Sequence, residues 1–116
     1  MSIERFGIGP RMSMAVVHGN VAYLAGHVAS HPKGASVAEQ TTDILAQIEA
    51  RLKEVGSDKS KLLTANIWLT DMATFGEMNA VWDRWVVQGA TPARATVRAD
   101  LATPDYKVEI MVTAGL

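Results

Sequence analysis

Apolar positions recur along the chain in two rhythms, one every second residue and one every third or fourth. At 61–70, Leu63, Ala65, Ile67 and Leu69 fall on one face of an extended chain, and Leu62, Thr64, Asn66 and Trp68 on the other. At 107–113, Val108, Ile110 and Val112 alternate with Glu109 and Met111. Both stretches predict strands, because successive side chains of a strand point to opposite sides. Weaker alternation predicts further strands at 3–8, 12–18, 21–28 and 95–99. Gly9-Pro10 closes the first, and Gly19-Asn20 marks a hairpin between the second and third. Gly26, inside the third, predicts a bulge or a close approach of backbone or ligand.

The slower rhythm predicts two helices. Val37, Ile44, Leu45, Ile48, Leu52 and Val55 form one apolar stripe. Ser36 and Glu39 before it make a capping box, and Gly56 ends it. A second stripe is Phe75, Met78, Val81, Trp82, Trp85 and Val86. Asp71 or Thr74 caps that helix, Thr74 with Glu77 in a second capping-box pattern, and Gly89 stops it. The sum is one α+β domain over 1–116, with an antiparallel-rich mixed sheet and both helices on one face. The opposite face is expected to carry Trp68, Arg94, Thr96, Arg98 and Glu109. A face of that mixed character is covered economically by another copy of the chain, so a homo-oligomer is expected.

Composition narrows the function classes. Of 116 residues, 48% are hydrophobic and 20% charged, the balance of an ordinary globular domain. Net charge is −1 without a basic block, which argues against a nucleic-acid partner held through phosphates. With no cysteine there is no disulfide, thiolate metal site or thiol nucleophile. No apolar run approaches a membrane span, and the N-terminus lacks a signal-peptide core, so a cytoplasmic protein is expected.

Candidate chemistry centres on Thr91-Pro92-Ala93-Arg94-Ala95-Thr96-Val97. Pro92 stiffens the approach to Arg94, whose planar fork suits a carboxylate. Alternation places Arg94, Thr96 and Arg98 together on one side of the fifth strand. If the fifth and sixth strands pair as a hairpin, Arg94 and Glu109 share a face. There the arginine would bind a carboxylate while the glutamate orients or deprotonates a water. The same pair could equally be a plain cross-strand ion pair. His18, His27 and His31 match no metal-ligand spacing, and no nucleophile elbow, phosphate loop or dinucleotide fingerprint is present.

Several of these residues together carry a resemblance. Asn20 to Gly26, Glu39-Gln40-Thr41, Asn79, Pro92-Ala93-Arg94 and Val108-Glu109-Ile110 are similar in order and spacing to the Rid (YjgF-like) family of reactive-intermediate deaminases. That resemblance covers nearly the whole chain. It implies a chorismate-mutase-like α+β fold, a homotrimer with clefts between subunits, and no metal or organic cofactor. The implied activity is hydrolysis of small enamine and imine acids to 2-oxo acids and ammonia. The family's carboxylate-binding arginine falls on Arg94, its water-orienting glutamate on Glu109 and its cleft asparagine on Asn79. Arg11 stands where many active members carry tyrosine, Ala25 where serine often precedes the glycine (here Gly26), and Thr96 where cysteine is common. Arg11, Ala25, Gly26 and Thr96 are thus expected to line the substrate site. A small-carboxylate-binding trimer without turnover, an endoribonuclease, and a hydrolase of another carbonyl-derived group are the competing expectations.

Overall fold

A computed structural model describes residues 2–116. The alternating stretches become strands β1 (Ile3–Phe6), β2 (Ala15–His18), β3 (Val21–Leu24), β4 (Leu62–Leu69), β5 (Ala93–Arg98) and β6 (Val108–Gly115). The two stripes become helices α1 (Val37–Glu54) and α2 (Phe75–Trp85). The strands form one sheet in the order β1-β2-β3-β6-β4-β5. All neighbours are antiparallel except β4 and β5, which are parallel.

The fifth and sixth strands therefore do not form the hairpin that the sequence suggested, because β4 lies between them. The connection from β4 to β5 contains α2, and a strand–helix–strand crossover of that length returns the chain parallel. A two-strand hairpin would have left α2 without a sheet to cover.

Both helices cover one face, as their single stripes require. Ile44, Leu45, Ile48 and Leu52 of α1 and Met78, Val81 and Trp82 of α2 are buried with Ala65, Ile67, Leu69, Val108, Ile110 and Val112 of the sheet. Truncating one such Leu or Ile to Ala removes packed methyls and leaves a void, a cost of about 2–5 kcal/mol. The start of β4 departs from strict alternation. Its register against β6 shifts between Leu62 and Thr64. That irregularity buries Leu62 and exposes Leu63, the reverse of the expected assignment.

The caps divide between expectation and correction. At α1 the capping box is complete: Ser36 Oγ accepts from Glu39 N at 3.0 Å, and Glu39 Oε1 accepts from Ser36 N at 2.9 Å. Thr74 makes no such cap on α2. Asp71 instead accepts from Ala73 N in the short turn before that helix. Glu77 reaches across to α1, where its carboxylate accepts from Ala38 N at 2.8 Å. It thus serves the free N–H groups of the neighbouring helix rather than its own.

The other sheet face has no helix over it. Paired positions place Val16, Tyr23, Trp68, Ala95, Val97, Glu109 and Met111 on that side, with Tyr23 48% and Val97 50% exposed.

Candidate active site

Arg94 lies one residue inside β5, which begins earlier than its alternation suggested. Its register neighbour on β4 is Ala65, and those of Thr96 and Arg98 are Ile67 and Leu69. Those three β4 residues are buried beneath the helices. Directly paired residues point to the same side. Arg94, Thr96 and Arg98 consequently face the helix layer, which corrects their expected place on the open face.

The helix layer receives Arg94 closely. Its Nη1 donates to Asn79 Oδ1 at 2.8 Å. The guanidinium carbon lies 5.8 Å from the Phe75 ring centroid and 5.4 Å from that of Trp82. Phe75, Asn79 and Trp82 are spaced four and three apart on α2, so one helical face presents all three. Two rings and one amide hold the guanidinium, while its remaining N–H donors stay available to a carboxylate. Two residues further along β5, the Thr96 hydroxyl is buried without a hydrogen-bond partner. Sequence reading had assigned Phe75 and Trp82 to the core stripe alone. The available signal was Asn79, a polar residue between two aromatics at helical spacing.

Glu109 belongs to the other face. It pairs with Trp68, whose parallel neighbour is Val97, and this row runs across the uncovered side of the sheet. Within one subunit the sheet itself separates Arg94 from Glu109. They form neither the shared cavity nor the cross-strand ion pair considered from the sequence.

The surroundings of Glu109 explain Gly26. Tyr23 pairs with Thr113, and His27 bridges Ile110. Between those pairs three residues (24–26) lie opposite two (111–112), so β3 bulges at Ala25 and Gly26. Leu24 and His27 are thereby both kept on the buried side. A methyl at Gly26 would lie 2.1 Å from Glu109 Oε2. Gly26 is absent from the positive-φ glycines, so the carboxylate needs the space rather than the backbone needing the freedom. Bulges of this kind redirect side chains next to functional sites.

The β1–β2 loop flanks the same bulge. Ala25 N donates to Met14 O at 2.9 Å, Met14 N to Phe6 O at 2.9 Å, and Gly9 N to Met12 O at 2.8 Å. Arg11 stands exposed within this tied turn. The ion pairs among the described residues are Arg51–Glu54 and Lys59–Glu49, so neither Arg11, Arg94 nor Glu109 takes part in one. The predicted residues thus fall into two groups: Arg94, Asn79 and Thr96 on the helix side of the sheet, and Glu109 on the other, seated at the bulge of Ala25 and Gly26 that the loop of Arg11 adjoins.

His27, beside the bulge, is 2% exposed. Its Nδ1–H donates to Ala25 O at 2.7 Å, and its Nε2 is buried without a partner. Burial, followed by the nearby Arg51 charge, holds its pKa below the usual 6.5, against the opposing pull of the Ala25 carbonyl. Among the described residues no three His, Asp or Glu side chains converge in a way that would hold a metal ion. Nor, among the described residues, is any helix long and apolar enough to cross a membrane. A hollow of about 430 Å³ on the outer side, lined by Ser36, Thr70, Asp71, Glu77, Pro104 and Lys107 among others, contains neither Arg94 nor Glu109.

Known proteins share this fold over its full length. The family model described as "Endoribonuclease L-PSP" matches residues 5–116. "RutC family protein YoaB" of Escherichia coli is 44% identical over 116 residues, with both chains covered in full. A "RutC family protein" of Haemophilus influenzae is 42% identical over 114 residues, 98% of either chain. Among solved structures, a member of the YjgF protein family from Neisseria meningitidis superposes with a TM-score of 0.96 at 50% identity, covering 99% of this chain and 95% of that one. A Mycobacterium tuberculosis member of the "YjgF/YER057c/UK114 family" superposes at 0.89 with 25% identity, covering 99% and 100%. The two-helix, six-strand architecture is that of these proteins, and the chain belongs to the YjgF/Rid (RutC) family.

Proposed function

We propose that this protein hydrolyses small enamine and imine acids of the 2-aminoacrylate type to 2-oxo acids and ammonia, in clefts between the subunits of a homotrimer. The observation that carries this reading is the division of the site. A carboxylate clamp (Arg94 with Asn79 and Thr96) and a water-orienting carboxylate (Glu109 at Gly26) lie on opposite faces of one sheet. One subunit cannot apply both to one small molecule. Two copies can, if the open face of one meets the β5 edge of another. The half-exposed Tyr23 and Val97 on that open face favour such a cover.

The chemistry needs few parts. Arg94 binds the substrate carboxylate through paired N–H donors, and the Thr96 hydroxyl supplies a further one. An enamine first tautomerises to its imine, the proton moving from nitrogen to the terminal carbon. Glu109 of the neighbouring copy then holds a water and accepts its proton as the oxygen adds to the imine carbon. The nitrogen takes up protons, the C–N bond breaks, and ammonia leaves with its electron pair. One water is consumed, and no oxidant, reductant or cofactor enters the balance. Imines hydrolyse unaided in water, so orientation of substrate and water is the main contribution required.

The description of the matching family names an endoribonuclease. A net charge of −1 without a basic stripe gives little hold on RNA phosphates. The deaminase reading is tested with imino acids generated in situ by an amino-acid oxidase, with semicarbazide trapping the imine that remains. The wild type is expected to suppress semicarbazone formation, and Arg94→Ala is not, at equal oligomeric mass. Wild-type protein that accelerates no imine across a broad panel, yet is stabilised by simple carboxylates, would establish the non-catalytic binding trimer instead.

A further inference from the structure

The two groups of site residues hold one cation more than a monocarboxylate substrate uses. Arg94 is already shaped for one carboxylate by Asn79, Phe75 and Trp82. Arg11 is the second cation. Its loop is not a loose surface excursion: backbone hydrogen bonds tie it at Gly9, at Met14 and at Ala25, which is one half of the Glu109 bulge. Its guanidinium enters no ion pair among the described residues. It therefore stands exposed on a turn fastened beside the bulge that seats Glu109, with its charge unspent.

Charge balance indicates what such a cation is for. Substrate carbon must approach Glu109 to meet its water. A substrate with a second acidic group would bring that group toward the same carboxylate and be repelled. A fixed guanidinium on the adjacent turn offsets that repulsion and binds the second acid through paired hydrogen bonds. An uncharged side chain at this position would leave the site selective for monocarboxylates. Resting on the deaminase reading above, we propose that Arg11 makes this a site for 2-imino dicarboxylic acids. Arg94 holds the carboxylate next to the imine, and Arg11 of the neighbouring copy holds the distal one. Hydrolysis then proceeds as described, yielding a 2-oxo diacid and ammonia.

Two measurements on the intact oligomer test this, using wild type, Arg11→Ala and Arg11→Lys. In the first, the trapping assay compares imines made from aspartate and glutamate with those from alanine and leucine. Wild type is expected to favour the diacids in kcat/KM. Arg11→Ala is expected to lose at least about tenfold more on the diacids than on the monoacids, the weight of one charged hydrogen-bonded contact, and mainly through KM. Arg11→Lys should recover part of the preference, and added salt should erode it. In the second, calorimetry compares 2-oxoglutarate with 2-oxobutanoate as product-like ligands. Wild type should bind the diacid more tightly, and Arg11→Ala should abolish the difference.

Equal loss on both substrate classes, or wild-type protein that binds the two ligands alike, would overturn the assignment while leaving the deaminase reading intact. A diacid preference in binding that Arg11→Ala removes, with no turnover of any imine, would uphold the assignment and overturn the deaminase reading.

Discussion

Gly26→Ala is the smallest change that separates the placement of Glu109 from the stability of the fold. The added methyl would lie 2.1 Å from Glu109 Oε2, 3.1 Å from Cδ and 3.4 Å from Cγ. The distance to Cγ is ordinary contact, so the stem of the glutamate can stay. The carboxylate head cannot: reaching normal contact requires a displacement of about 1 Å or more, achieved by rotating the end of the side chain. Position 26 has no positive φ, so alanine brings no backbone strain. The folding cost is then that of a shifted rotamer, on the order of 1 kcal/mol. The catalytic cost is larger, because a misplacement of about 1 Å at a reacting group lowers rate by roughly a hundredfold. The assay is imine hydrolysis by trapping, alongside urea denaturation of the same preparations. Placing Gly26→Ala in a Glu109→Ala background supplies the control. With the carboxylate gone the methyl meets nothing nearer than ordinary van der Waals contact, and the stability cost should vanish. If Gly26→Ala kept kcat/KM within about threefold of wild type, the carboxylate would not need its observed position, and the reasoning would fail.

Two further outcomes follow from neighbouring groups. Burial holds the His27 pKa below 6.5, so the native state binds this proton less readily than the unfolded chain does. The stability this confers is fully present above about pH 6.5 and is lost as pH falls through that value toward the native pKa, by up to about 1.4 kcal/mol per pH unit. Denaturation between pH 7.5 and 5 should show this slope, and His27→Gln should flatten it; parallel slopes for the two proteins would contradict it. Glu77→Ala removes the acceptor for Ala38 N at the start of α1 and should destabilise the fold by about 1 kcal/mol in urea denaturation, as loss of a helix cap does. Unchanged stability would mean that water replaces that carboxylate without cost.

Much of this fold was legible in the chain. Strict alternation in β6 and the later half of β4 set their buried faces, because a one-residue slip would expose every apolar side chain. The α1 boundaries followed from Ser36, Glu39 and Gly56. Asn79, Arg94, Thr96, Glu109 and Gly26 were singled out, and the bulge at Gly26 was anticipated, although the group that needs its space is the Glu109 side chain rather than backbone or ligand. What misled was polarity on β5. Arg94, Thr96 and Arg98 read as part of the face turned away from the helices, together with Trp68 and Glu109. In the subunit the sense is reversed: Val97 is half exposed beside Trp68, and Arg94 lies against the rings of α2. Burial and polarity part company at an edge strand whose polar side contacts a helix and whose apolar side is uncovered in the subunit. The spacing did allow for the correction, since a helix between two strands is the connection a parallel pair needs. The second capping-box pattern failed for a related reason: Glu77 had a better partner on another helix, which no local motif reports.

The central claim is that a working site takes Arg94 from one copy and Glu109 from another, and subunit mixing tests it most directly. Arg94→Ala and Glu109→Gln are each expected to be inactive alone, with a three-chain mass of three times 12.5 kDa. Unfolded together in equal amounts and refolded, random assembly places an intact arginine opposite an intact glutamate in about one cleft in four. The account predicts recovery of roughly a quarter of wild-type kcat per cleft, with the wild-type KM. Mixed trimers, verified by mass, that remain as inactive as their parents would contradict it.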